Sequence, residues 1–548
     1  MTTIKMDRFG GSTHKNAPHL IAPPYASYAL NCKFDRGMLS SFRDVQPIVE
    51  DDSMRLEYGE KWIQVGCCWI KVPLCTDFTD GPLQCSTYYF TGRNSYPEEG
   101  ILDPVTCEIE WYRLGLPCPP SAPSVEWEDE DCTPTDCQDG CLDKDAEARV
   151  YVYQYVNSRG QRSAVSPPSD VKIVNDGTQA IVSGWSKPDS SWDVASVRIY
   201  RSVSGYSPNE NKANNTFDTQ YMFVGEVPIT QQYFVDNLIN YELRDALEED
   251  HLLMPPPANL RGIHRINNMN VLVGFAGNSL YFTRNNKWHD WSIEIALDDN
   301  IRAIAVSGDM VYVATDGVPY VVVGVADCDQ AECRQVMKHT THYPYIGCDN
   351  NGMIEVSGGA VYPTHEGLVY LRKEAEPSLI TSGLYSTEQW QQLQPDTVKP
   401  VFYKGTLFLF FRTYACALVL SGEHNLHTSL SDTGVVYAFV ARTGEMYLEK
   451  YDNTYLWGRA NYKRPHKWRS PELHTGRRIG FAAISVTTEQ GAEFVKIEMD
   501  NRVIIERDVR PSYPMALPLW ATGEKHYIEL SGVADVSFVS LATSVEEL

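Results

Sequence analysis

The sequence predicts an all-β protein with a β-propeller-like core, and three observations carry that reading. Helical periodicity is nearly absent; only STEQWQQL (Ser386 to Leu393) reads as a short helix, with Ser386 or Thr387 as N-cap and Glu388 in its first turn. Elsewhere, short runs of β-branched and aromatic residues are broken at close intervals by Gly, Asn, Asp and Pro. Aromatic residues reach 11%, with 32 Tyr, a surplus that suits half-buried strands.

The elements follow in chain order. KWIQVGCCWIKV (Lys61 to Val72), STYYFTG (Ser86 to Gly92) and CEIEWYRLG (Cys107 to Gly115) are strand-like and assign residues 51–117 to the first propeller blade or blades. Residues 118–147 then form a linker. Its Pro-rich spacer, PCPPSAPSV (Pro117 to Val125), has extended character, and the acidic loop Glu126 to Glu147 sets ten acids against one Lys for a net −9.

Residues 148–240 read as a small inserted β-sandwich. ARVYVYQYV, DVKIV, QAIVSGW, ASVRIYRSV, YMFVGEV and QQYFVDN supply its strands. The Val197 to Arg201 run and the Ser166-Pro167-Pro168-Ser169 corner resemble fibronectin type III modules, and the absence of Cys in this stretch excludes an immunoglobulin disulfide. Residues 258–465 repeat strand, turn, strand, turn, strand at the roughly 40–50-residue spacing of propeller blades. Examples are Gly262 to Arg284, Asn300 to Gly324, Met353 to Arg372, Val401 to Gly422 and Gly434 to Gly458. Residues 466–548 read as a C-terminal β-sandwich, with a hairpin around Asp500-Asn501.

Composition excludes several classes. At 548 residues, 43% apolar and 22% charged, the chain is long enough for three or four folded domains and is neither disordered nor collagen-like. The most apolar window, Thr406 to Leu420, contains Arg412 and is too short for a membrane helix. No secretion-type apolar segment stands at the N-terminus, so the expectation is synthesis in the cytoplasm with the 14 Cys as thiols. With 47 basic against 71 acidic residues, the net charge of −24 argues against a protein that grips DNA tightly, since counterion release needs surplus Lys and Arg.

No motif specifies an active site. Cys132, Cys137 and Cys141 are the most metal-like group, but zinc would want a fourth ligand and preferably CxxC pairs, so a solvated acidic loop is the expectation, disulfide-stapled or not. Cys328 and Cys333 read as a hairpin tip, and Cys67-Cys68 as strand residues on opposite faces. On β-structure His339 and His342 point to opposite faces, and His365-Glu366 is an isolated pair. Asp298, Asp299, Asp309 and Asp316 would be the carboxylates of a propeller glycosidase, yet Asp is expected at β-turns in any case. The expectation is therefore no catalytic, cofactor-binding or metal residue, and no cofactor.

Several stretches together resemble the tail nozzle, or tail-tube (hub-like), virion proteins of short-tailed bacteriophages. DRFGGSTHKNAPHLIAPPYASYALNCKFDRGMLSSFRD (Asp7 to Asp44) is similar to that family's N-terminal extended strap, here residues 1–50. Trp111 to Val125 resembles its linker into a fibronectin-like insert. Gly359 to Thr381 with Ser386 to Phe411 is the strongest likeness, and Tyr527 to Leu548 resembles its C-terminal sandwich. The Cys-containing acidic loop is not part of that pattern.

The resemblance implies a non-enzymatic virion protein, assembled as a homo-oligomeric ring, typically a hexamer, at the end of a short tail. Adjacent tail adaptor, tube and fibre proteins would be its partners, DNA would pass through only transiently during genome ejection, and no membrane insertion is expected. Two readings compete with it: a propeller enzyme degrading host-surface polysaccharide, and an adhesin that binds the host surface.

Overall fold

Alternating side chains, punctuated by left-handed turn residues such as Asp500 and Asn501 at φ 48° and 64°, organise the chain into antiparallel sheets. The computed structural model describes residues 3–48, 57, 59–81, 86–128, 147–203, 220–247, 253–266, 270–324, 334–347, 349–420, 425–450, 453–489, 491–509 and 513–548. The fold is all-β and propeller-like. Two compact units divide it: Met1–Cys75, Asp299–Val325 and Gln335–Leu548 form the first, and Thr76–Asp298 with Ala326–Arg334 the second.

The first unit is built on successive four-stranded meanders. One runs through Ile301–Ser307, Met310–Thr315, Tyr320–Val323 and Gln335–Lys338, and the next through Ile354–Val356, Gly359–Pro363, Leu368–Arg372 and Ser378–Leu379. A third comprises Lys399–Tyr403, Thr406–Phe410, Ala415–Val419 and Leu426–Ser429. The inner strands, such as Tyr320–Val323 and Gly359–Pro363, are buried on both faces, which is what stacked blades require, whereas the outer strand Gln335–Lys338 is mostly exposed. Tyr362 packs with Ala303, Ala305 and Tyr312 of the meander before it, while its neighbour Val361 packs with Leu407 and Leu409 of the meander after it. Phe408 and Phe410 continue the alternation, packing on Ala438, Met446 and Leu448. The short helix Thr387–Gln392 stands between the second and third meanders, closed by a capping box in which Ser386 and Gln389 satisfy each other's backbone N–H.

The N-terminal segment is woven into this unit. Gln46–Pro47 completes the last meander by pairing with Thr454–Leu456, beside Val435–Val440 and Met446–Lys450. Tyr28–Leu30 lies parallel to Leu426–Ser429 on one side and antiparallel to His466–Arg469 on the other. It thereby joins the third meander to the C-terminal strands Gly523–Gly532, Glu493–Met499 and Arg502–Asp508 in one ten-stranded sheet. Thr3–Met6 pairs with Asp535–Ala542, which also pairs with Ala483–Glu489. The C-terminal layers share a core that includes Trp468, Ile497, Ile528 and Leu541, and strap residues Met6, Phe9, Ala26, Ala29, Cys32 and Leu39 fill part of it. Residues 466–548 thus pack with the strap in one shared core, a dependence that strand patterns alone do not reveal.

The second unit holds a meander of Asp77–Asp80, Thr87–Thr91, Glu98–Leu102 and Ile109–Arg113, and another of Arg261–Arg265, Leu272–Ala276, Ser279–Phe282 and Ile293–Ala296. Their first strands meet: Gly262 N–H donates to Asp77 at 3.2 Å and Arg265 N–H to Thr79 at 3.2 Å. Between them in sequence lie two three-stranded sheets, one of Ser124–Trp127, Ala180–Ser183 and Tyr233–Asp236, the other of Tyr151–Asn157, Val194–Val203 and Gln220–Pro228. They share a core of Tyr151, Tyr153, Tyr155, Val182, Val197 and Ile199. Ser124–Trp127, at the end of the Pro-rich stretch that the sequence pattern reads as linker, pairs with Ala180–Ser183.

Cys132, Cys137, Cys141, Cys328 and Cys333 lie outside the described residues. Cys67 occupies the turn after Glu60–Val65 and only Cys68 is in a strand, so the two are not opposed strand residues; their sulfurs are 3.7 Å apart. Cys68 and Cys107 are each disulfide-bonded, where the expectation was thiols at synthesis, whereas Cys32 and Cys416 are buried thiols.

Candidate functional site

The described residues concentrate buried polar chemistry where the strap meets the first unit. Ser12 lies in an extended run held by backbone bonds from Ser12 N–H to His427 C=O (2.8 Å) and from Ala26 N–H to Gly11 C=O (3.0 Å). A side chain at Gly11 would collide with the His427 backbone, so glycine is required here by close approach. The Ser12 hydroxyl is 2.9 Å from His427 Nδ1, and Tyr385 and Tyr414 hydroxyls lie 2.6 and 3.1 Å from Nε2. Tyr414 continues the chain to Ser429 at 2.8 Å, and the His14 ring stacks on Tyr385. His427 is fully buried, and desolvation with His14 close by pushes its pKa down to about 3. The imidazole is therefore neutral: Tyr385 donating to Nε2 leaves Nδ1–H for Ser12 Oγ.

A second anchor lies further along the strap. Ser41 Oγ is 2.8 Å from His466 Nδ1, and His466 Nε2 is 3.0 Å from Glu493 Oε1. Glu493 accepts from Nε2–H, which leaves Nδ1 to accept the Ser41 proton. This is the residue order of a Ser–His–acid relay with the two ring nitrogens exchanged, assembled from residues far apart in sequence. Its surroundings suit a fastener. Ser41 is 5% exposed where it borders a cleft, and His466 and Glu493 lie buried behind it, holding the strap to the C-terminal strands. Asp44 adds an ion pair to Arg464 at 2.8 Å, and Arg464 in turn pairs with buried Asp432.

Beside the second anchor opens a cleft of about 680 Å³. Met38, Phe42, Tyr403, Phe408 and Trp457 line it with apolar surface, and Lys33, Arg43, Lys404 and Lys463 outnumber Asp35 and Asp535 among its charged residues. Two of those cations are engaged within the cleft, Lys33 by Asp35 and Lys463 by Asp535.

The residues singled out by sequence do not come together as a site. His339 is buried with Nδ1 3.8 Å from Glu376, and desolvation lowers its pKa, while His342 is exposed. His365 and Glu366 sit on the exposed turn that Thr364 and Gly367 close. Asp316 accepts from Asn300 Nδ2 at 2.9 Å, Asp299 accepts from the Tyr320 hydroxyl at 2.9 Å, and Asp298 and Asp309 are exposed near strand ends. Among the described residues no group of three His, Cys, Asp or Glu is placed to hold a metal, and no helix is long and apolar enough to cross a membrane.

No family model and no curated protein matches the chain. Among solved structures it is similar to streptogramin B lyase, at 9% identity and TM-score 0.27, over 70% of this chain and 97% of that one. It is also similar to PorZ, a surface component of the type-IX secretion system of Porphyromonas gingivalis, at 11% identity and TM-score 0.26, over 62% of this chain and 44% of that one.

Proposed function

We propose that this chain is a non-enzymatic structural protein of a short bacteriophage tail, which assembles into a nozzle ring through which the genome leaves. The observation that supports it most is the use made of the strap. The stretch Asp7 to Asp44, whose pattern resembles the nozzle family, is the segment threaded between the third meander and the C-terminal strands and pinned by Ser12–His427 and Ser41–His466. Such stitching ties residues hundreds of positions apart and suits a part that carries load rather than one that opens and closes around a substrate.

Charge supports the same role. A conduit must let a polyanion slide, and each Lys–phosphate contact would act as a brake. Six copies at −24 each would carry −144, so the wall of the ring is expected to present more acidic than basic side chains. Electron microscopy of virions, with antibody against this protein, tests the proposal. Label at the tail and a ring-shaped density are expected. Label elsewhere, a channel walled mainly by Lys and Arg, or sugar released from capsule or lipopolysaccharide by the purified protein would overturn it.

A further inference from the structure

The first unit carries a protruding apolar knob at one end of the strand Gly523–Gly532 and the aromatic cleft at the other. The knob is the turn Pro518–Ala521, closed by Ala521 N–H donating to Pro518 C=O at 2.9 Å. Its central residues, Leu519 and Trp520, are 91% and 72% exposed, while the flanking Leu517 and Ala521 are buried in the core and hold the turn rigidly. Arg478 braces it from the neighbouring strand, donating to Thr522 C=O at 2.9 Å. At the opposite end, Gly532 pairs with His466, and Asp535 and Lys463 stand in the cleft wall. The ten residues between them span about 30 Å of strand.

We infer that Leu519 and Trp520 of one copy insert into the Phe408–Trp457 cleft of the next copy, making a head-to-tail interface. Three observations favour a second copy as the occupant. Adjacent exposed Leu and Trp on a rigid turn form the kind of aromatic anchor that dominates interface energetics. The cleft, at about 680 Å³ and floored by aromatic rings, has the size and lining to receive an indole and an isobutyl group. Its lining carries a cationic excess, four against two, on a chain of −24, so it favours the approach of a second, net acidic copy.

Knob and cleft are different surfaces, so a reciprocal twofold pair would fill both on each copy at once, whereas the head-to-tail contact proposed here leaves one free knob and one free cleft per pair. Such a contact keeps adding copies until the rotation closes into a ring. The inference rests on the oligomeric-ring reading above and assigns its subunit contact.

The test uses the full chain and sedimentation velocity. Wild-type protein should self-associate. Trp520→Ala, which removes the anchor, and Thr406→Trp, which fills the cleft mouth, should each weaken self-association by roughly thirtyfold or more, with unchanged circular dichroism. Mixed in equal amounts, the two variants retain one intact cleft and one intact knob between them, so they should form a heterodimer that grows no further. A Trp520→Ala chain that still assembles like wild type would overturn the interface and leave the ring reading standing. Wild-type protein that stays monomeric would overturn both. Monomers that instead bind vesicles of anionic phospholipid through Trp520 would assign the knob to a membrane and also overturn the inference.

Discussion

Ser12 and His427, 415 residues apart, share a buried hydrogen bond of 2.9 Å that fastens the N-terminal strap to the third meander. Removing the Ser12 hydroxyl by Ser12→Ala strands a polar ring nitrogen in a sealed site, at a cost of about 1–3 kcal/mol. Urea unfolding should show a lower midpoint with an unchanged slope. Gly11→Ala should do more, because the added methyl meets His427 backbone that cannot give way; the expected sign is early cleavage of the strap under limited proteolysis.

The same histidine makes stability depend on acid. An unfolded chain protonates it near pH 6.5 and the folded chain only near pH 3, so between those values the unfolded state binds more protons. Its contribution is complete above pH 6.5 and is lost as pH falls towards 3, by about 1.4 kcal/mol per unit. Urea midpoints at pH 7 and pH 4.5 should differ accordingly. In His427→Asn this part of the slope should vanish, although the variant starts less stable.

Ser41 should be chemically inert despite its His466–Glu493 chain. A fluorophosphonate probe incubated with native protein is expected to leave Ser41 unmodified by mass spectrometry. Labelling of Ser41 that disappears in His466→Ala would falsify its assignment as a fastener.

Within the sandwich of the second unit, Arg201 and Asp236 form a fully buried ion pair at 2.8 Å, and the Tyr151 hydroxyl donates to Asp236 at 2.7 Å. Asp236→Asn leaves the guanidinium buried and without its counter-charge, which should cost about 3–5 kcal/mol. Tyr151→Phe removes one charge-assisted bond, worth about 1.5–3 kcal/mol. Calorimetry of the full chain should place Asp236→Asn below Tyr151→Phe, and both below wild type.

Much of the architecture was legible because it is written at short range. The short strand run within Met353 to Arg372, the turn residues Asp500-Asn501 and the helix start at Ser386 are patterns of neighbours, and each appears where its spacing predicts. The strand Ser124–Trp127 is not legible in the sequence because it is short and sits in Pro-rich text. It becomes a strand through pairing with Ala180–Ser183, a partner more than fifty residues away. The Ser41–His466–Glu493 chain was missed for a related reason: its members share no local motif, and only the strap's path beside His466–Arg469 brings them together.

By itself, then, the sequence determined the all-β class, the repeated meanders and the strongly acidic balance, because periodicity, turn chemistry and charge are additive properties of the chain. Tertiary structure alone decided that the strap is an internal stitch, that its serines meet buried histidines, and that a knob and a cleft stand at opposite ends of one strand. Those relations depend on which distant strands pair, and strand pairing is settled by the burial and hydrogen bonding of the whole sheet rather than by any segment within it.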